Sequence, residues 1–410
     1  MTKRVVVTGL GAVTPLGNDV KTTWDNMKKG VCGIDTVTKF DASEYKCSLA
    51  GEVRGFDPTL YMPKGEVRKT DLYCQYAVAA ATQAYEDSGL TQESVSPDRF
   101  GVYIGSGIGG INTLVTEHSK LVEKGPGRVS PFFVPMMIAN IASGTVAIKY
   151  HAQGPNIGIV TACATSTNSI GEAYRVIKHG YADAMLAGGS EAAITPLCFA
   201  GFISCQALSQ STDKNRASIP FDKERGGFIM GEGGAVVMLE EYEHAKARGA
   251  KIYAEVVGYG CTNDAYHMTA PDPDAAASAR AIELAAKEGG IEAGRDVYVN
   301  AHGTGTPLND KTETRALKRV FGDGAYKLRV SSTKSMTGHM LGAAGGVEAI
   351  ASILALDEGV VPPTVNYCVK DEDCDLDVTP NTAAAAELKF ALSTSLGFGG
   401  HNGCLAFKKI

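Results

Sequence analysis

A chain of 410 residues is long enough for two or more folding units, and a formal net charge of −6 supplies no general attraction for a nucleic-acid backbone. No apolar run approaches the roughly 20 residues that a membrane helix needs. The ten cysteines form no C-x-x-C pair, which argues against a zinc ribbon or a disulfide framework and for free thiols in a reducing cytoplasm.

The opening run M-T-K-R-V-V-V-T-G-L-G reads as a strand over 5–8 rather than a secretory or transit leader. G-L-G-A-V-T-P-L-G follows as a Gly-rich turn; it lacks G-x-G-x-x-G spacing, and Pro15 interrupts any helix start, so a nucleotide loop is not indicated. Residues 40–70 read as irregular and polar, with a basic cluster at Lys64, Arg68 and Lys69 in an otherwise acidic chain. That cluster is either a solvated helix face or a docking patch for an acidic partner. A helix is expected over 71–88, and a strand over 100–105 ending in G-S-G-I-G-G. Residues 111–150 read as helical with a Pro-rich interruption near Phe132, Phe133 and Pro135.

Residues 159–162, I-V-T-A, are expected to form a short buried strand that ends at Cys163. Small helix-start residues follow, and then Ile170, Ala173, Tyr174 and Ile177 at helical spacing. Cys163 is thus placed between a strand and a helix N-terminus. Free N–H groups and the helix dipole there favour a thiolate and can hold an oxyanion. The same residue also reads as a buried small apolar side chain. A strand at 184–187 leads into G-G-S-E-A, and 195–232 reads as a long irregular region. A strand at 235–239 and a charged helix at 240–248 follow.

Beyond residue 250 the order repeats. Strands are expected at 252–258, 297–300, 329–332, 390–393 and 404–408, with helices near 275–288, around Leu317 and around Ile350. Strand–A-H-G-T-G-T answers strand–G-S-G, the turn at 334–339 answers the turn at Cys163, and A-L-S-T-S-L-G-F-G-G answers A-M-L-A-G-G. A weak internal duplication of this kind predicts two β/α halves, 1–250 and 251–410, whose loops at the carboxyl ends of the strands face one crevice.

Four loops would then converge: Cys163, His302, 334–339 and the glycine loop around Phe398. Cys163 can attack a thioester carbonyl. His302 and His339 can donate hydrogen bonds to one carbonyl oxygen and stabilise an enolate. Lys334 can supply a positive field, and Glu348 can orient a histidine or help bind a cation. Backbone N–H groups at Cys163 and Phe398 can form an oxyanion hole, with Phe398 as a gate. Taken singly, a histidine after a strand reads as a packing residue and Glu348 as a solvated one.

These motifs, with R-A-S-I-P-F-D, G-F-I-M-G-E-G, D-A-Y-H-M-T-A-P and S-S-T-K-S-M-T-G-H-M-L-G-A-A-G, resemble over the whole chain the β-ketoacyl-[acyl-carrier-protein] synthases of the thiolase superfamily, most closely the elongating type II. The resemblance implies an α/β thiolase-like fold, its two pseudo-duplicated halves packed as a layered α-β-α-β-α core. It implies Cys163 as the acylated nucleophile, His302 and His339 as the decarboxylation and condensation pair, and Lys334 and Glu348 as supporting residues. Phe398 becomes the gate, Thr304 and Thr306 the contacts to a phosphopantetheine arm, and Ile108, Phe133 and Phe202 the acyl tunnel. The implied reaction is decarboxylative Claisen condensation in fatty acid biosynthesis, with no redox cofactor or catalytic metal. The implied partners are an acyl carrier protein docking near Lys64, Arg68, Lys69 and Arg128, and a second copy in a cytoplasmic homodimer. Gln206 stands where some relatives carry a basic docking residue. A type II polyketide ketosynthase is the alternative; a CoA-dependent thiolase would need a second cysteine, for which Cys404 is the candidate.

Overall fold

In the computed structural model, which describes residues 2–410, nine strands form one sheet. They are β1 (Val5–Val13), β2 (Phe100–Gly105), β3 (Ala184–Glu191), β4 (Gly233–Glu241), β5 (Ala254–Asn263), β6 (Val297–Asn300), β7 (Arg329–Ser331), β8 (Phe390–Gly397) and β9 (His401–Lys408). Their order is β2-β3-β4-β1-β5-β9-β8-β6-β7. The sheet reads outward in the same way from its middle. β1 is followed by β4, β3 and β2; β5 is followed by β9, β8, β6 and then β7. The place opposite β7 is held by the segment at Asn156, which bridges Val102 in parallel. The halves join where Val5–Val7 pair antiparallel with 254–256.

Five helices define the layers: α1 (Leu72–Ser88), α2 (Thr165–Lys178), α3 (Ala276–Gly289), α4 (Pro307–Phe321) and α5 (Ala344–Glu358). α1 covers β1 and β4 from outside, while α3, with α4 beside it, covers β5 and β9. α2 and α5 touch each other and pack on strands of both halves. α5 is buried from Ala344 through Leu356, as expected of a helix apolar on all sides. The result is the α-β-α-β-α layering of a thiolase-like α/β fold.

Four local expectations are corrected. The Gly-rich stretch after residue 8 is strand, buried through Val13. Its glycines serve close packing: a Cβ on Gly9 would lie 2.0 Å from the Ala84 carbonyl oxygen, and one on Gly11 would lie 1.9 Å from that of Ala80. Residues 159–162 form no strand; the segment lies along the sheet edge, where only Asn156 bridges, and Ile157 and Val160 are each 53% exposed. The region 195–232 contains the helix Pro196–Ser204, started by Pro196 and by the Thr195 hydroxyl accepting from Cys198 N–H at 3.3 Å, and a short turn of helix at Lys214–Ala217. The final glycine loop is a tight hairpin. β8 and β9 pair up to Gly397 and His401, leaving only Phe398, Gly399 and Gly400, with the two glycines at φ 83° and 76°.

Candidate active site

The site is assembled from chain segments that leave the sheet at the carboxyl ends of parallel strands. His302 follows β6 by two residues, Lys334 opens a short helix after β7, and Phe398 follows β8 directly. Cys163 follows the edge segment, within a single 3-10 turn (Ala162–Ala164) that feeds α2. Ala162 takes a left-handed φ of 50° to make that turn. Cys163 is its second residue, so its N–H has no intrahelical acceptor. Gly397 backs the turn; a Cβ there would sit 3.2 Å from Cys163 N.

Cys163, His302, His339, Phe398, Thr304 and Thr306 line one cavity of about 340 Å³. Cys163 Sγ and one nitrogen from each imidazole all lie within 4.8 Å of one another. The imidazoles meet edge to face with centroids 5.2 Å apart, and Phe228 packs against the His339 ring at 5.1 Å. The Thr304 and Thr306 hydroxyls are 2.9 Å apart.

Hydrogen bonds set the tautomer of both rings. The Lys334 ammonium, which can only donate, sits 3.3 Å from His302 Nδ1, and Leu341 N–H donates to His339 Nδ1 at 3.3 Å. Both Nδ1 atoms are therefore acceptors, and in each neutral ring the proton resides on Nε2. Burial holds both imidazoles well below the usual histidine range; the Lys334 charge adds to this, and for His302 so does His339. The rings are thus uncharged Nε2–H donors at neutral pH.

Lys334 is buried and paired with Glu348, which is equally buried and not solvated. Burial pushes the Glu348 carboxyl up against the lowering effect of Lys334. Burial also pushes the Cys163 thiol up to about 12, opposed by Lys334 and by the Phe398 N–H that it accepts. This departs from the lowered thiol expected of a helix start: the dry pocket penalises the thiolate more than these donors favour it.

Sequence reasoning missed the buried carboxylates that hold these loops. Glu313 accepts from His302 N–H at 2.7 Å, Gly303 N–H at 2.8 Å and the Thr394 hydroxyl at 2.6 Å. Glu191 does the same for the Ser106 hydroxyl and for the N–H groups of Gly107, Ile108 and Gly342. For Glu191 the only signal was an acidic residue among small residues, in G-G-S-E-A; Glu313 stands in the polar run N-D-K-T-E-T-R and carried none. The cavity also takes in Asp264 and 269–271, from a motif to which no role was given.

Five expected site residues lie off the cavity, Lys334 among them. Phe202 packs beside it, 6.4 Å from the Phe398 ring, and Glu348 stands behind Lys334. Ile108 is 38% exposed, and Phe133, half-buried, opens the helix Phe133–Met137. As for metals, Glu348 Oε2, both Asn300 amide atoms and Ser393 Oγ are buried without a hydrogen-bond partner. Asn300 and Ser393 are register partners on β6 and β8. Asn300 Oδ1, Ser393 Oγ and Glu348 Oε2 are hard oxygen donors, whereas Asn300 Nδ2 is an N–H donor and no cation ligand.

The fold and the site together define a thiolase-like protein with a cysteine and two imidazoles at the meeting of two similar halves. Family models for the beta-ketoacyl synthase N-terminal domain and C-terminal domain match residues 2–245 and 253–368. The chain is 53% identical over 408 residues to a 3-oxoacyl-[acyl-carrier-protein] synthase 2 of Synechocystis, covering 99% of this chain and 98% of that one. Its structure is similar to a beta-ketoacyl synthase from Burkholderia phymatum (TM-score 0.92, 35% identity) and to a type II polyketide ketosynthase in complex with its acyl-carrier protein (TM-score 0.91, 36% identity), each match spanning both chains completely. This chain belongs to the beta-ketoacyl synthase family. Among the described residues no helix is long and apolar enough to cross a membrane.

Proposed function

We propose that this chain is an elongating 3-oxoacyl-[acyl-carrier-protein] synthase that joins a malonyl unit to an acyl chain held on Cys163, in fatty acid biosynthesis in the cytoplasm. The observation that carries the reading is the pair of neutral imidazoles, each with its Nδ1 engaged by a donor, beside the Cys163 sulfur. The Cys163 sulfur attacks the acyl thioester of a carrier protein; a new C–S bond forms, and the thiol proton ends on the departing pantetheine sulfur. The N–H groups of Cys163 and Phe398 face the oxyanion of that step. Malonyl-carrier protein then enters, with its pantetheine arm along Thr304 and Thr306. Loss of CO2 leaves the C–C electron pair as an enolate, which the two Nε2–H donors stabilise. The enolate carbon attacks the acyl carbonyl, the C–S bond breaks with its electron pair on sulfur, and the Cys163 thiolate takes up a proton from solvent to regenerate the thiol.

Within this reading, residues 1–250 supply the nucleophile and 251–410 both histidines. The reaction uses no redox cofactor and no catalytic metal. Phe398 gates the cavity from its tight hairpin, and Ile108, Phe133 and Phe202 guide the acyl chain where two copies meet. Lys64, Arg68, Lys69 and Arg128 dock the acidic carrier. All four are exposed, Lys69 lies over the Phe132 ring at 5.7 Å, and Arg128 joins Lys120 and Lys124 around a surface hollow. A second copy covers the edge at 155–160, where exposed Ile157 and Val160 lie outside the last paired strand. The thiolase alternative is not favoured, because Cys404 is fully buried within β9.

The test is the intact mass of the protein after incubation with acyl-carrier protein. The wild type gains one acyl group, lost with CO2 release on addition of malonyl-carrier protein; Cys163→Ala gains none. An adduct on the Cys163→Ala variant, or an adduct discharged by CoA but not by malonyl-carrier protein, would overturn the reading.

A further inference from the structure

A thiol and two imidazole nitrogens within 4.8 Å of one another are the ligand set and spacing from which three-coordinate protein sites for zinc are made. Bond lengths of about 2.3 Å to sulfur and 2.0–2.1 Å to nitrogen put tetrahedral ligand atoms roughly 3.3–3.6 Å apart, so atoms spread over as much as 4.8 Å would have to draw in by up to about 1.5 Å. The cavity beside them leaves a fourth position open to water. A protein that depends on a free Cys163 has here the makings of a metal site that would disable it.

The groups behind the rings oppose this use. A zinc-bound imidazole offers the lone pair of one nitrogen and donates its other N–H to an acceptor, commonly a carboxylate or a carbonyl. Here the arrangement is reversed on both rings. His302 Nδ1 meets the Lys334 ammonium at 3.3 Å, and His339 Nδ1 meets the Leu341 N–H at 3.3 Å. Both groups are donors, so each Nε2 carries a hydrogen and has no lone pair for a metal. To bind, each ring would have to move its proton to Nδ1, against a donor. The Lys334 charge also stands on the far side of the His302 ring, where it repels a dication bound at Nε2.

We infer that Cys163, His302 and His339 form a latent soft-metal site, kept closed to zinc chiefly by the charged donor Lys334; the Leu341 N–H, a neutral donor, adds a smaller barrier that remains in every variant. Lys334 is then a positioning residue with two consequences of one contact: it aims the His302 Nε2–H at the cavity and denies the same nitrogen to a metal. Glu348, bonded to the Lys334 ammonium, holds it in that posture. The inference rests on the donors at Nδ1 and not on which acyl substrate the site takes.

The test compares wild type, Lys334→Gln, Lys334→Met and Lys334→Arg with Co(II) and zinc. Gln removes the charge and offers a carbonyl oxygen to accept from Nδ1–H; Met removes both charge and donor; Arg keeps both. Expected for the wild type and for Lys334→Arg are no thiolate-to-Co(II) charge-transfer band and no protection of Cys163 from iodoacetamide by zinc. Expected for Lys334→Gln is one bound metal with the band present, zinc affinity at least ~10-fold above wild type, and loss of both when Cys163→Ala is added. Lys334→Met serves as the second variant if the Gln variant does not fold. A Cys163-dependent Co(II) band in the wild type overturns the inference, as does a zinc affinity in both the Gln and Met variants no tighter than wild type. Metal bound by Lys334→Gln without any need for Cys163 overturns it equally.

Discussion

Glu313 accepts from two consecutive backbone N–H groups, those of His302 and Gly303, and so fixes the direction in which the His302 loop leaves β6. A glutamine there keeps one acceptor and adds a donor, so one buried N–H loses its partner at a cost of about 1–3 kcal/mol. Glu313→Gln is therefore expected to unfold at lower urea, and to lose more in kcat than in KM for condensation. Burial also pushes the Glu313 carboxyl up to about 7. An acid raised in the folded state binds its proton more tightly there than in the unfolded chain. Its contribution is fully present below the ordinary value near 4.5 and is lost as pH rises toward 7. Urea titrations from pH 5 to 8 are expected to show wild-type stability falling with pH, and the fall to shrink in Glu313→Gln. An unchanged slope would remove Glu313 from that account. Cys163, His302 and His339 were all visible as candidates because reactive residue types stood at strand ends. Glu313 and Glu191 were not visible, because a buried carboxylate is identified by its donors, and these come from loops distant in sequence.

At the scale of elements, the two halves share a packing device. Gly9 and Gly11 of β1 admit the backbone of α1 at Ala84 and Ala80; Gly258 and Gly260 of β5 admit α3 at Ala285 and Ala281, with a Cβ on Gly260 only 1.9 Å from a carbonyl oxygen. Both helices thus place alanines four apart on a pair of glycines two apart. Because the obstacle is backbone, no side-chain rearrangement relieves it. Gly11→Ala is expected to cost about 3 kcal/mol or more, beyond ordinary overpacking, measured as urea stability or as loss of folded protein. The turns repeat as well. Ala162 at φ 50° precedes Cys163, and Leu341 at φ 48° precedes Gly342, each opening a 3-10 turn that runs into a central helix. The partner of the Cys163 turn is thus 341–343, just beyond the 334–339 stretch expected from sequence. Hydrophobic periodicity located α1, α2, α3 and β6 closely. It misread the glycines of β1 as a turn, because a glycine needed for close approach looks in sequence like a glycine needed for bending.

For the whole molecule, the sheet has two edges, one at β7, where Val330 N–H donates to the Asp377 carbonyl, and one beyond Asn156. Along and near this second edge lie Ile157 and Val160, each 53% exposed, and Ile148, 84% exposed. Exposed apolar groups beside unpaired backbone favour association with another copy. A charge placed there, Val160→Glu, is expected to shift the protein toward monomer in sedimentation velocity. It should also weaken acylation if Ile108 and Phe133 meet the acyl chain across the interface; a dimer unaffected by Val160→Glu would move the interface elsewhere.

The chain by itself determined the reactive inventory, the alternation of strands and helices, and the repeated order of the halves, because these rest on residue type and local periodicity. It also carried the family, through motifs spread over its whole length. Only the tertiary structure decided the rest: that Lys334 and Leu341 set both imidazole tautomers, that Glu348 is buried against Lys334, that burial raises the Cys163 thiol, and that Ile108 and Phe133 lie off the cavity. Each of these depends on which distant groups desolvate or donate to a given atom, and sequence spacing does not record that distance.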